Sequence, residues 1–102
     1  MVIYHVNPGA EGEFLTVLAQ AWEIYRRENL VFKEPHVVVR EDEGGDRSRV
    51  VEIFTWVSHA APAQAPQSVK DIWEKEHSLC ENRNGRNGIE GGEVTLLLPK
   101  NK

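Results

Sequence analysis

The first part of the chain contains a short strand pattern followed by a long helical pattern. The run Val2–Val6 predicts a β-strand and ends at the turn cluster 7–9, Asn-Pro-Gly. From about residue 10 to 28, apolar positions recur at the helical step of roughly 100° and cover about half of the circumference. These positions are Phe14, Val17, Leu18, Ala21, Trp22, Ile24 and Tyr25. An arc this wide predicts a helix that is buried against more than one neighbour, or against a sheet with a pocket at its margin.

Two β-branched runs, 35–40 and 49–57, flank an acidic, glycine-containing segment and predict a β-hairpin. If Gly44 and Gly45 form a two-residue turn, Val39 faces Val50. One face then carries Val37, Val39, Val50, Glu52, Phe54 and Trp56, and the other carries His36, Val38, Arg40, Val51, Ile53 and Val57. A different turn length would shift these pairs, because side chains alternate between the faces of a strand.

The remainder predicts a loop rich in alanine and proline, a second helix over 67–83, a glycine-rich loop to residue 92 and a last strand over 94–98. Ser68, with Asp71 three residues later, resembles a helix-start cap. The predicted order is βαββαβ. This order is typical of an α+β, ferredoxin-like fold, with an antiparallel four-stranded sheet and two helices on one face.

The apolar character of both hairpin faces predicts a homodimer. Two helices cover only one face of a small sheet, so the other face would be an exposed hydrophobic patch. A second copy of the same sheet is the simplest cover, which favours a two-fold symmetric assembly.

Composition narrows the class of protein. A chain of 102 residues is expected to form one domain, 1–102, and its 40% hydrophobic and 27% charged content is ordinary for a globular fold. No membrane span or secretory signal is expected, and a net charge of −4 argues against a nucleic-acid or anionic-membrane surface. The single cysteine, Cys80, excludes an internal disulfide framework and suits the cytoplasm.

Polar residues inside apolar patterns mark the candidate chemistry. Glu76 and Arg83 fall within the apolar stripe of the second helix, with His77 on its shoulder, and Glu52 lies between apolar positions of the third strand. If that strand face meets the helices, Glu52, Trp73, Glu76 and His77 surround one cavity, where a carboxyl could act as acid or base. The alternative is that each glutamate has a structural arginine partner, Arg40, Arg49 or Arg83.

His77 and the remaining polar segments leave further alternatives open. An imidazole at this position could ligate a haem iron or move protons, or it could be a partly buried histidine bound to water or backbone. His77 and Cys80 share a helix face, but no second pair at metal-ligand spacing accompanies them, so no metal site is predicted. In the glycine-rich loop, Arg83 and Arg86 could meet an anionic ligand, although no phosphate-loop motif is present.

Several segments together resemble antibiotic-biosynthesis-monooxygenase-like domains over nearly the whole chain. They are Pro8-Gly9 leading into Glu13-Phe14-Leu15, the third strand with its loop (51–58), the helix segment 69–73 and the closing segment 89–94. The resemblance implies a dimeric α+β barrel in which two four-stranded sheets pack face to face. Such proteins include cofactor-free monooxygenases acting on polycyclic aromatics and quinols, and haem-degrading monooxygenases, with sites between sheet and helices.

The haem-degrading branch combines a helical histidine, an asparagine on the first strand and a tryptophan near the loop after the third strand. His77 matches the histidine, but Val2–Val6 contains no asparagine, Asn7 falls in the turn, and the loop 58–66 contains no tryptophan. The cofactor-free branch is therefore the leading expectation, with haem as the lesser one.

The expected protein is a homodimer that oxidises a small phenolic or quinol-type molecule without a cofactor. Trp73 and Phe54 would form an aromatic wall, and Glu76 or Glu52 would take the proton of the substrate hydroxyl. His77 would orient or shuttle that proton. The competing expectation is a non-catalytic module for ligand binding or dimerisation, since fold alone does not determine function.

Overall fold

A computed structural model describes residues 1–45, 47–95 and 97. Within them the chain forms β1 (Val2–Val6), α1 (Glu11–Arg27), β2 (Val31–Gly44), β3 (Arg47–Trp56), α2 (Gln67–Ser78) and β4 (Ile89–Gly91). The strands make one antiparallel sheet in the order β2-β3-β1-β4. The prediction of an α+β fold with a four-stranded antiparallel sheet and two helices is confirmed, and this arrangement is compatible with a ferredoxin-like fold.

Both helices pack on one face of the sheet, termed the helix face. Tyr4 and Val6 of β1 and Val50 of β3 pack against Phe14 and Leu18 of α1. A second cluster joins the two helices over the other end of the sheet; its buried members are Val17, Ala21, Tyr25, Val31, Ala65, Val69 and Ile72. The helical spacing in α1 therefore predicts its buried side correctly.

The predicted register of the hairpin is wrong by one residue. Gly44 pairs with Arg47, and an irregularity between Asp42 and Gly44 shifts the strands so that Val39 pairs with Val51. Both Gly44 and Gly45 have positive φ, 94° and 60°, which glycine adopts without a steric penalty. An extra residue in one of two paired strands is a β-bulge. The side chains of that strand beyond the bulge then lie on the opposite faces of the sheet.

As a result, the β2 side chains are on the opposite faces from those predicted. Val38, rather than Val37, pairs with Glu52, and His36 pairs with Phe54, so His36 and Val38 belong to the helix face. The opposite side, termed the open face, carries Ile3, Val37, Val39, Val51 and Ile53. Val37 and Val39 are 42% and 52% exposed.

The second helix ends earlier than predicted. It stops at Ser78 rather than Arg83, because the backbone turns there to pair with β1: Asn7 N–H donates to Leu79 O and Glu81 N–H donates to His5 O. Its N-cap is Pro66, and no side-chain cap is formed, so the predicted role of Ser68 is wrong.

The last strand is also displaced from its predicted position. It spans Ile89–Gly91, inside the predicted loop, and pairs with β1. Of the predicted strand 94–98, residues 94, 95 and 97 are not in a strand, and residues 96 and 98 lie outside the described part of the chain. A Cβ added at Gly88 would lie 3.2 Å from the backbone of Glu81, so a larger residue there would require that backbone to shift slightly.

Neither helix in the described residues has the length and apolar character needed to cross a membrane.

Candidate functional site

Glu52 lies at the centre of the sheet and is fully buried on the helix face. The Tyr4 hydroxyl of β1 donates to its Oε1 over 2.9 Å, and the Nε2 of His36 from β2 lies 2.9 Å from its Oε2. Two neighbouring strands therefore supply one donor to each oxygen. This satisfies the rule that a buried charge needs hydrogen-bond partners.

Glu76 lies on the inner side of α2, and it is as deeply buried as Glu52 but lacks such partners. Only 2% of the residue is exposed, and its Oε2 is buried without a hydrogen bond from any described residue. Burial, followed by the negative charge of Glu52, raises the pKa of Glu76 to about 8. Glu76 thus holds a proton at pH 7 that an exposed carboxyl would have lost.

The arginines considered as partners of these glutamates are bound elsewhere. Arg40 pairs with Glu11, Arg49 pairs with Glu41, and Arg83 pairs with Glu43. The alternative in which the buried carboxylates are neutralised by an arginine is therefore wrong.

Two buried tyrosines, Tyr4 and Tyr25, lie near the two carboxyls, and Tyr4 contacts Glu52. Burial and the charges of Glu52 and Glu76 raise the pKa of Tyr4 far above its ordinary value. Burial raises the pKa of Tyr25 in the same direction, and the Trp73 Nε1–H donates to the Tyr25 hydroxyl over 2.6 Å. Both tyrosines stay neutral, so Tyr4 remains a hydrogen-bond donor to Glu52 at every physiological pH.

An aromatic cluster lies beside the carboxyls. The ring centres of Phe54 and Trp56 are 5.1 Å apart, and Trp56 meets Trp73 at 6.3 Å in an edge-on arrangement. Tyr25 and Trp22 contact Phe54, each at 5.8 Å. Trp73 reaches Phe54 through Trp56 and Tyr25, and Tyr25 is near enough to Glu76 for the charge of that carboxyl to raise its pKa.

His36 is the site residue that sequence reasoning missed. Its ring stacks on Trp22 with centres 3.6 Å apart and planes 7° from parallel, while its Nε2 reaches Glu52. The predicted register placed His36 on the opposite face from Glu52, which concealed the contact. The sequence feature that could have indicated this contact is the second glycine, Gly45, because its positive φ allows a bulged turn.

His77 and Arg83 are placed away from this cluster. His77 is exposed on α2 and lines neither of the two described surface grooves. Arg83 is 6% exposed, and its guanidinium donates to Glu43, to Glu81 and to the carbonyls of Ser48 and Val6. These contacts connect the β2–β3 hairpin to the end of β1, so the Arg83 side chain has a structural role.

A haem does not fit around His77. An iron-ligating histidine needs apolar walls for the macrocycle, and His77 faces solvent. Within the described residues, no group of three histidine, cysteine, aspartate or glutamate side chains could hold a metal ion. Burial raises the pKa of the Cys80 thiol to about 12, so Cys80 is a thiol rather than a metal-binding thiolate.

A groove of about 1150 Å³, termed the terminal groove, opens beside Met1 and Val2 at the start of β1, where β3 continues past it. Phe54 and Trp56 form part of its wall, and His59 and Pro62 lie on its rim. Neither Glu52 nor Glu76 lines it. The aromatic cluster therefore separates the groove from the buried carboxyls.

Comparison with protein-family models, with curated proteins and with solved structures found no match. The resemblance to monooxygenase-like domains therefore stays a prediction from the sequence, and the functional argument rests on the site.

Proposed function

We propose that this protein oxidises a small phenolic or quinol-type molecule with dioxygen and without a cofactor. The observation that carries the proposal is Glu76, a buried carboxyl with an unpartnered oxygen and a pKa raised to about 8. A carboxyl in this condition is better matched to proton transfer near neutral pH than an exposed one.

Deprotonation of the substrate is the step that the protein would catalyse. The base is the deprotonated form of Glu76, which is a minor fraction at pH 7 and becomes the main form above about pH 8. Phenolic hydroxyls have a pKa of about 10, so proton transfer to this carboxylate lowers the cost of forming the phenolate. The phenolate donates an electron to dioxygen, and the radical and superoxide combine. Loss of water from the resulting hydroperoxide leaves the quinone, so a phenol and O₂ become a quinone and H₂O.

The terminal groove is the proposed entry for the aromatic ring. Phe54 and Trp56 provide the faces and edges against which an aromatic ligand stacks. The ligand would displace part of the cluster formed by Trp56 and Trp73 to reach the carboxyls. A ligand without charge is favoured, because it would have to leave the groove and enter the interior beside the buried Glu52 and Glu76.

The assembly proposed with this function is a homodimeric α+β barrel. The helices pack on one face of the sheet, although Val38 on that face is 40% exposed at the edge strand, and Val37 and Val39 on the open face are 42% and 52% exposed. Burying this face against the same face of a second copy removes β-branched apolar surface from water, which is the main driving force of such association.

A non-catalytic ligand-binding module is the second candidate. It is favoured by the separation of the terminal groove from Glu52 and Glu76, neither of which lines it. A ligand held against Phe54 and Trp56 alone would meet aromatic walls and no acid or base.

Oxygen consumption with a panel of phenols and hydroquinones, under metal-free conditions, tests the proposal. The expected result is saturable uptake by the wild type that falls by about 100-fold in Glu76→Gln. Glu74→Gln, on the exposed side of the same helix, should leave uptake unchanged. Ligand-dependent quenching of tryptophan fluorescence with no oxygen uptake would overturn the oxidation and support the binding module.

A further inference from the structure

The carboxyl of Glu52 has a single route towards solvent among its hydrogen bonds. Its Oε1 is bound to the Tyr4 hydroxyl inside the core, while its Oε2 contacts His36 Nε2. The side chain of His36 is 23% exposed, compared with 1% for Glu52. His36 therefore spans the boundary between water and the buried acid pair.

The His36 ring is also held in one plane. Trp22 of α1 stacks on it at 3.6 Å and 7°, so the ring keeps its edge directed at Glu52. Among other charged groups on this side of the sheet, Arg40 is engaged by Glu11, and within the described residues Tyr4, Tyr25 and Glu76 are the other ionisable groups that the charge of Glu52 affects. A fixed imidazole between water and a carboxylate is the arrangement that proton shuttles use.

We propose that His36 carries protons between solvent and the buried Glu52, with Trp22 as the residue that positions its ring. The role deepens the proposed function and rests on it for its purpose. In the resting form Nε2–H donates to Glu52. Nδ1 then takes a proton from water while Nε2 releases its own to the carboxylate, and the ring returns to its first tautomer by exchange with water.

The test follows proton exchange directly and needs no substrate. The protein is labelled with ¹³C at the glutamate side-chain carboxyls, and their NMR lines are followed as the pH is varied. In the wild type, the Glu52 carboxyl should give one averaged line, because His36 contacts its Oε2. Because a positioned proton donor accelerates transfer by about 100-fold or more, His36→Gln should broaden or split this line.

Two histidines serve as matched controls. His5 is buried and contacts Glu90 over 2.8 Å, and His77 is exposed on α2, so His5→Gln and His77→Gln should leave the Glu52 line averaged. Imidazole added to His36→Gly should restore the averaged line, which a purely structural role of His36 would not explain. An unchanged line in His36→Gln overturns the proposal.

Two further measurements keep the proposal falsifiable if these variants do not fold. Long-range ¹H–¹⁵N spectra of the wild type should show the Nε2–H tautomer and exchange of this proton with water; a His36 ring protected from exchange overturns the relay. If proton exchange depends on His36 but no phenol is oxidised, the relay is supported and the proposed oxidation is wrong. If a phenol is oxidised but proton exchange does not depend on His36, the oxidation is supported and the relay is wrong.

Discussion

Glu52 and Glu76 are buried together, and only Glu52 has its hydrogen bonds supplied. The Tyr4 hydroxyl and His36 bind the two oxygens of Glu52, whereas Oε2 of Glu76 has no partner. The pair therefore divides into a carboxylate that its neighbours stabilise and a carboxyl that burial and the charge of Glu52 keep protonated. This difference in hydrogen bonding and protonation is the basis of the proposed chemistry, and it can be measured through the pH dependence of stability.

The buried Glu76 should make stability depend on pH. Its pKa is raised in the folded state from 4.5 to about 8, so the folded protein binds the extra proton between these values. The free energy of unfolding should fall as pH rises through this window, by up to about 5 kcal/mol. Urea denaturation at several pH values measures it. Glu76→Gln should flatten the dependence, Glu74→Gln should preserve it, and an equally steep profile in Glu76→Gln would refute the assignment.

The Tyr4 hydroxyl should stabilise the fold through Glu52. Tyr4→Phe removes the donor to Oε1 and leaves a buried carboxylate oxygen without a partner, which costs about 1–3 kcal/mol. A double-mutant cycle with Glu52→Gln, followed by chemical denaturation, isolates the pair. Strictly additive costs would show that the two side chains do not interact.

Arg83 should matter for stability rather than for ligand binding. Arg83→Met removes the donors to Glu43 and to two backbone carbonyls, and loss of such a buried charged group costs about 3 kcal/mol. Arg86→Met is the control, because Arg86 is exposed and its pairing with Glu90 is worth less than about 1 kcal/mol. Thermal denaturation compares the two. A loss of ligand affinity without a loss of stability in Arg83→Met would restore the role predicted from the sequence.

The open face should control assembly. Val39→Lys places a charge at the centre of the proposed dimer contact and should yield the 11.6 kDa monomer by light scattering, whereas the wild type should show twice that mass. Val38→Lys is the control, because Val38 lies next door on the helix face opposite Glu52. A wild-type mass of one chain would remove the barrel from the proposal.

Local sequence patterns predict which segments are helices or strands and which acidic residues lie in the interior. Helical spacing in α1, alternation in β3 and the interrupted apolar stripe of α2 are local patterns, so Glu52 and Glu76 were recognisable as polar groups in the interior. Local patterns of this kind survive folding, because each element must bury its apolar side.

The partners of these acids depend on contacts between distant segments, which form only in the tertiary structure. One extra residue at the Gly44 turn moved His36 to the face of Glu52, and the pairing of the chain after Ser78 with β1 took Arg83 out of the helix and away from Glu76. Register and helix ends depend on contacts between distant segments. Periodicity within one segment carries no information about them.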